Sequence, residues 1–193
     1  MKIMLSVSLL LLLLVQPENV GSFAQETRSN FSPDGMVGAA EVYYMKNKNK
    51  TRSLVRIYLE GTDNDRKALK DTITMDVIFE VDGLKVTKPQ TASLVFTKYA
   101  NKKSKFTKDH NVHIYTDGLE GMDGAEWRTR LVSTQSLPSG GIVEIFLSPP
   151  LKFERVVTLA NAREAIVTLG ESTFRLKKSD FQALKDLNET IEP

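Results

Sequence analysis

The C-terminal segment 142–191 constrains the fold of this chain most strongly, because strand and helix patterns follow one another there at close spacing. Val143, Ile145 and Leu147 alternate with other residues at the period of two that is typical of a β-strand. Pro149 and Pro150 end this pattern, since proline cannot donate a hydrogen bond to a strand ladder. The segment therefore begins with a predicted strand that ends near residue 148.

A first helix is predicted directly after this strand. Ser148 is a good N-cap residue, and Pro149 suits the first helical position. Apolar side chains then recur at helical spacing, namely Phe153, Val156, Val157 and Ala160. We therefore expect an amphipathic helix with one apolar face.

A hairpin and a second helix complete the segment. Residues alternate up to Leu169 and again from Phe174, and the turn between them contains Gly170. Ser179 and Gln182 have the spacing of a capping box, which marks the start of a helix. The apolar stripe of this helix comprises Phe181, Leu184, Leu187 and Ile191.

Short strands are predicted over the preceding part of the chain. The clearest alternation runs from Ile73 to Val81 and ends at the turn signal Asp82-Gly83, after which Leu84 and Val86 suggest a short strand. Several such strands precede the first helix, which is typical of an antiparallel sandwich or a curved sheet. We predict a mainly β to α+β fold. An antiparallel sheet or sandwich over about residues 36–148 is closed by the helix, hairpin, helix unit, and 36–193 form a single domain.

The N-terminus has the features of an export signal. Lys2 precedes an apolar run over residues 3–15, which is shorter than the roughly twenty residues of a transmembrane helix. Small residues near Ala24 suit a signal peptidase, so we expect a signal peptide over 1–24 and a flexible tail over 25–35. An uncleaved anchor is the alternative. The chain contains no cysteine, which excludes thiol chemistry. The expected location is periplasmic or extracellular.

Two lysine-rich runs are candidates for binding anions. The net charge of +2 argues against a dedicated nucleic-acid or heparin binder, although a local basic patch is compatible with it. The first run comprises Lys46, Lys48, Lys50 and Arg52, and the second comprises Lys98, Lys102, Lys103, Lys105 and Lys108. An exported protein would present them to acidic glycans, anionic lipid headgroups or an acidic partner. The alternative is that these lysines only keep hairpin tips solvated and block edge pairing.

Three further groups of residues are weaker candidates. Asp117, Glu120 and Asp123 lie in a glycine-rich segment that can supply oxygen ligands to calcium, although such segments are common without an ion. Trp127, Arg128 and Arg130 lie on one predicted strand, where the tryptophan serves either a sugar ring or the core. His110 and His113 are three residues apart on a predicted strand and so point to opposite faces, which is unsuitable for a shared metal ion.

No catalytic or cofactor motif is present in the sequence. The pattern favours a non-catalytic binding or envelope-associated accessory module with an unknown envelope or extracellular partner. We expect no cofactor, no metal and no nucleic acid, and contact with a membrane only through the signal peptide before cleavage. The alternative is a secreted hydrolase with an acidic site in the 110–130 region.

Overall fold

A computed structural model of the chain describes residues 38–61, 72–100, 109–116, 126–138, 141–170 and 172–192. These residues contain ten β-strands and two α-helices. The strands are β1 (Ala40–Met45), β2 (Lys50–Leu59), β3 (Thr72–Asp82), β4 (Thr91–Ala100), β5 (Asp109–Thr116), β6 (Glu126–Ser136), β7 (Ile142–Leu147), β8 (Leu151–Lys152), β9 (Ala165–Leu169) and β10 (Ser172–Arg175). The helices are α1 (Phe153–Asn161) and α2 (Lys178–Glu189).

All ten strands belong to one antiparallel sheet, with the order β1-β2-β3-β4-β7-β6-β5-β9-β10 and with β8 paired to β4. The prediction of an antiparallel sheet is confirmed, and the single sheet decides against a sandwich. An isolated bridge joins Gly61, just after β2, to Phe174 in β10. Because these strands lie near opposite ends of the order, the sheet must curl for the bridge to form.

Both helices pack against one face of the sheet, which we call the inner face. Helix α1 contacts α2, β4 and β8, and α2 contacts β1 and β2. Phe79 of β3 meets Phe153 of α1 edge to face, with 5.2 Å between ring centroids. Alternate residues of the central strands therefore point toward the helices, as the period of two predicts.

One hydrophobic core fills the space between the inner face and the helices. It includes Val55, Ile57, Met75, Val77, Leu94, Phe96, Val112, Ile114, Phe146 and Val167 from the strands and Phe153, Val156, Leu159, Phe181, Leu184 and Leu187 from the helices. The predicted helix, hairpin, helix unit and its apolar stripes are confirmed, with Val157 and Ile191 partly buried at the margin of the core.

The predicted start of the first helix is wrong by several residues. Ser148 does not cap it, because its hydroxyl accepts a hydrogen bond from the Leu94 backbone N–H at 2.9 Å and so continues the pairing with β4. The two prolines interrupt this pairing, which resumes briefly in β8. The helix then begins at Phe153, whose N–H donates to the carbonyl of Gln90 at 3.0 Å.

The predicted capping residue of the second helix is also wrong. The N-cap is Lys177, and the carboxylate of Asp180 accepts a hydrogen bond from the Lys177 backbone N–H at 2.7 Å. Burial raises the pKa of Asp180, and the Lys177 N–H opposes this rise by stabilising the carboxylate. Ser179 therefore lies inside the first turn of the helix.

The short strand predicted at Leu84 and Val86 does not form. Val86 is buried, but its carbonyl accepts a hydrogen bond from the Glu192 backbone N–H at 2.8 Å. The Val86 carbonyl is therefore bonded to Glu192 and not to a neighbouring strand. Leu84 is left 71% exposed.

Candidate functional site

A lysine-rich surface lies at the end of the sheet where β1, β2 and β3 meet their loops. We call this surface the basic tip and define it by Lys46, Lys48 and Lys50 from the β1–β2 turn, Lys85 and Lys88 from the β3–β4 connection, and the neighbouring Tyr44 and Leu84. The sequence places these two groups of lysines far apart. The fold brings the segments that carry them together.

Asn49 is the residue that connects the two segments. Its φ of 51° lies in the left-handed region, which asparagine tolerates better than most residues. Its backbone carbonyl accepts a hydrogen bond from the Gly83 N–H at 2.8 Å, and its side-chain oxygen accepts one from the Tyr44 hydroxyl at 2.8 Å. Thr51 adds a bond from its hydroxyl to the Gly83 carbonyl at 2.6 Å. The β1–β2 turn and the β3–β4 connection are therefore fixed to each other.

Three carboxylates partly offset the charge of the basic tip. Lys50 lies 3.8 Å from Asp82, Lys85 lies 3.3 Å from Glu192, and Lys88 lies 3.6 Å from Glu154. Both partners of each pair are well exposed to water, so each pair contributes little to stability. Lys46 and Lys48 lie in the turn that directly precedes Lys50.

Glu154 in the first turn of α1 stays ionised at neutral pH. Its pKa lies below the ordinary value, mainly because the carboxylate accepts a hydrogen bond from its own backbone N–H, and Lys88 lowers it further. The positive charge of the basic tip is therefore moderate rather than extreme, and an anionic partner would compete with three exposed carboxylates.

Two large apolar side chains project from the basic tip. Leu84 is 71% exposed and directly follows Gly83, whose φ of 81° turns the chain. Tyr44 is 38% exposed beside Asn49. Leu84 and Tyr44 therefore add apolar surface to a region that is otherwise lysine-rich.

Arg52 does not belong to the exposed surface, contrary to its place in the first lysine-rich run. Its side chain is 2% exposed and its Nε donates to the Glu80 carboxylate at 2.7 Å, while another nitrogen donates to the Tyr43 hydroxyl at 3.1 Å. The guanidinium thus joins β1, β2 and β3 across the outer face of the sheet. Its role is cross-strand pairing.

Lys98 is also buried, although the lysine-rich run to which it belongs predicts a loop or strand end. It lies in β4 and is 2% exposed, because the alternation of Ala92, Leu94 and Phe96 continues through it on the inner face. Across the ladder it is directly opposite Glu144 of β7, which is 5% exposed. One oxygen of the Glu144 carboxylate has no hydrogen-bond partner among the described residues.

Most of the other predicted candidates lie outside the described residues. They are Lys102, Lys103, Lys105, Asp117, Glu120 and Asp123, together with the side chain of Trp127. Arg128 and Arg130 are exposed on β6, where they form a second and smaller basic surface. The calcium hypothesis and the hydrolase alternative therefore stay predictions.

The two histidines lie on opposite faces of β5, as predicted. His110 is buried on the inner face with its ring 5.3 Å from that of Phe146, whereas His113 is half-buried and stacks on Tyr115 at 6.0 Å. Within the part of the chain that the structure describes, no three histidine, aspartate or glutamate side chains gather as metal ligands would.

Comparisons with known proteins give no further guide to function. No family model, no curated protein and no solved structure matches this chain. Among the described residues, neither helix is long and apolar enough to span a membrane.

Sequence reasoning found only part of the basic tip. It identified Lys46, Lys48 and Lys50, but it assigned Leu84 to a strand and left Lys85 and Lys88 aside. The turn signal Asp82-Gly83 was the one available indication that the chain reverses here. The hydrogen bond between Asn49 and Gly83 joins residues of different hairpins, and local patterns do not encode it.

Proposed function

We propose that this protein is a non-catalytic binding module that recognises an anionic partner through the basic tip. The hydrogen bond from Gly83 to Asn49 is the observation that carries this proposal, because it combines two lysine-bearing segments into one surface. The leader-like segment 1–24 supports a role outside the cytoplasm.

The energetics of the basic tip suit reversible binding. A lysine near an anionic surface contributes about 1 kcal/mol, so a few lysines together give weak to moderate affinity. The exposed ion pairs with Asp82, Glu154 and Glu192 are individually weak and are therefore readily exchanged for an external anion. We expect the affinity to fall steeply with added salt, since exposed charges are screened.

Binding to a soluble polyanion tests the proposal. The probe is a fluorescein-labelled heparin oligosaccharide, titrated with the full-length chain and followed by anisotropy at low and at physiological salt. The variant Lys46→Gln/Lys48→Gln/Lys85→Gln removes charge from both segments of the basic tip. We expect it to lose roughly tenfold or more in affinity, given about 1 kcal/mol for each lysine.

A matched variant controls for total charge. Arg163→Gln/Arg175→Gln/Lys178→Gln removes the same number of charges from exposed residues outside the basic tip. It should retain most of the wild-type affinity. Equal losses in the two variants, or no binding by the wild type at low salt, would overturn the proposal.

A further inference from the structure

We infer that the anionic partner of the basic tip is a lipid bilayer, and that Leu84 inserts among its headgroups while the surrounding lysines contact them. This inference rests on the proposed function and names the partner. It departs from the expectation from the sequence that only the signal peptide contacts a membrane.

Leu84 carries the inference because its exposure has no use in a purely ionic surface. It is 71% exposed near the start of the β3–β4 connection, the largest exposure among the large apolar side chains that the structure describes. A soluble polyanion or an acidic protein loop offers little to such a side chain, whereas the interface of a bilayer offers both anionic headgroups and apolar chains.

The neighbours of Leu84 fit the same partner. Lys85 follows it directly, and Gly83 before it is bonded to Asn49 in the lysine-bearing turn. Tyr44, whose hydroxyl donates to Asn49, exposes part of an aromatic ring beside the same turn. Tyrosine is enriched at membrane interfaces, where its ring and its hydroxyl face different environments.

The bonds of Gly83 hold Leu84 in an outward position. Its N–H donates to Asn49 and its carbonyl accepts from Thr51, which is itself buried. The next inward residue, Val86, is fixed by its hydrogen bond to the Glu192 N–H. Leu84 is thus presented by a loop that is anchored on both sides, so insertion needs little reordering of the chain.

Co-sedimentation with vesicles tests the inference. The full-length chain is mixed with vesicles of phosphatidylcholine alone or of phosphatidylcholine with phosphatidylglycerol, and the bound fraction is measured. The neutral vesicles account for any binding by the apolar segment 3–15. We expect clear excess binding to the anionic vesicles.

Two single variants separate insertion from charge attraction. Leu84→Asn leaves every charge in place, and we expect a several-fold loss of binding to anionic vesicles with unchanged binding to the labelled heparin oligosaccharide. Tyr115→Asn removes an apolar side chain on β5 that is 44% exposed, and it should leave both unchanged.

Each outcome decides between the two proposals. Wild-type binding to heparin without excess binding to anionic vesicles would overturn the lipid inference and leave the proposed function standing, with an acidic glycan or protein as partner. Unchanged vesicle binding by Leu84→Asn would also overturn it. If the wild type binds neither the heparin oligosaccharide nor the anionic vesicles, both the proposed function and the lipid inference are overturned.

Discussion

Single residues at tight turns determine how the described segments meet. Asn49 adopts a left-handed conformation that lets its carbonyl and its side chain bond to two different neighbours. Gly170 in the β9–β10 hairpin is also left-handed, with φ of 59°, and its N–H donates to the Asn111 carbonyl at 3.0 Å. Small or flexible residues are needed at both places because a left-handed backbone disfavours a Cβ atom.

The substitution Gly170→Ala is expected to destabilise the protein more than Gly83→Ala. Both glycines have positive φ, so each alanine costs about 1 kcal/mol. At Gly170 the new Cβ would also lie 2.9 Å from Nδ1 of the buried His110, whereas at Gly83 it meets no atom within 4 Å. Urea unfolding monitored by circular dichroism measures both. Equal losses of stability would show that His110 moves aside without cost.

The pair of Lys98 and Glu144 is expected to behave as a coupled unit. Lys98 and Glu144 are buried charges of opposite sign that lie directly opposite each other on β4 and β7, so Lys98→Met and Glu144→Leu should each cost about 3 kcal/mol. The double variant should cost clearly less than the sum, because both desolvation penalties disappear together. A double-mutant cycle of unfolding free energies tests this, and strictly additive losses would contradict it.

The sequence predicted individual residues well where one local rule applies and poorly where two rules compete. The inner-face residues of β3 follow from alternation alone. Lys98 obeys the same alternation, but five lysines within a short run indicate a solvated loop, and composition favoured the wrong interpretation. Arg52 is similar, since its charge suggested exposure while its opposite neighbour Glu80 allows burial.

At the scale of elements, cross-strand bonds and helix caps fix the boundaries that local patterns leave open. Arg56 of β2 is directly opposite Asp76 of β3 and donates two hydrogen bonds to its carboxylate, at 2.8 and 2.9 Å. Helix α2 begins where Asp180 can bond back to Lys177 rather than at the predicted Ser179. Capping boxes with serine are commoner, so the sequence placed the cap two residues too late.

The cap of α2 gives a direct comparison of the two assignments. We expect Asp180→Ala to lower the free energy of unfolding by about 1 kcal/mol, because the Lys177 N–H loses its acceptor. Ser179→Ala should change it by no more than about 0.5 kcal/mol, as at other surface positions. Chemical denaturation measures both variants. A larger loss for Ser179→Ala would restore the cap predicted from the sequence.

The pair of Arg56 and Asp76 predicts a dependence of stability on pH. Burial raises the pKa of Asp76, and the hydrogen bonds from Arg56 counteract only part of this rise. A carboxyl with a raised folded pKa binds its proton more tightly in the folded state, so its contribution to stability falls as pH rises from about 4 through the folded pKa.

The variant Asp76→Asn lacks this titration and serves as the reference. The unfolding free energy of the wild type minus that of Asp76→Asn should therefore be largest at the lowest pH of the series. This difference should decrease as pH rises. Denaturation at a series of pH values measures it. A difference that grows with pH would mean that Arg56 outweighs burial.

At the scale of the whole molecule, the closing contacts of the sheet and the basic tip lie at different ends of β2. Two contacts close the curled sheet near the C-terminal end of β2. They are the bridge between Gly61 and Phe174 and the ion pair between Lys177 and Glu60. The basic tip lies at the other end, roughly 30 Å away for a strand of this length. We therefore expect substitutions in the basic tip to leave the closing contacts unchanged.

The order of the strands in the sheet is the part of the fold that local sequence patterns do not predict. Alternation located most strands, but β7 follows β6 in the chain and also pairs with β4, while β9 pairs with β5. These partners are distant in sequence, and their registers depend on the common core rather than on turns. The basic tip depends on the same long-range packing. Local sequence patterns therefore do not predict that the β1–β2 turn and the β3–β4 connection lie side by side.

A nuclear magnetic resonance titration tests the central claim most directly. Amide shifts of the full-length chain are followed as unlabelled heparin oligosaccharide is added, with matched salt throughout. We expect saturable changes concentrated at residues 44–50 and 82–88, with the Gly83 amide among them. Changes centred instead on Arg128 and Arg130, or spread evenly over all exposed basic residues, would contradict it.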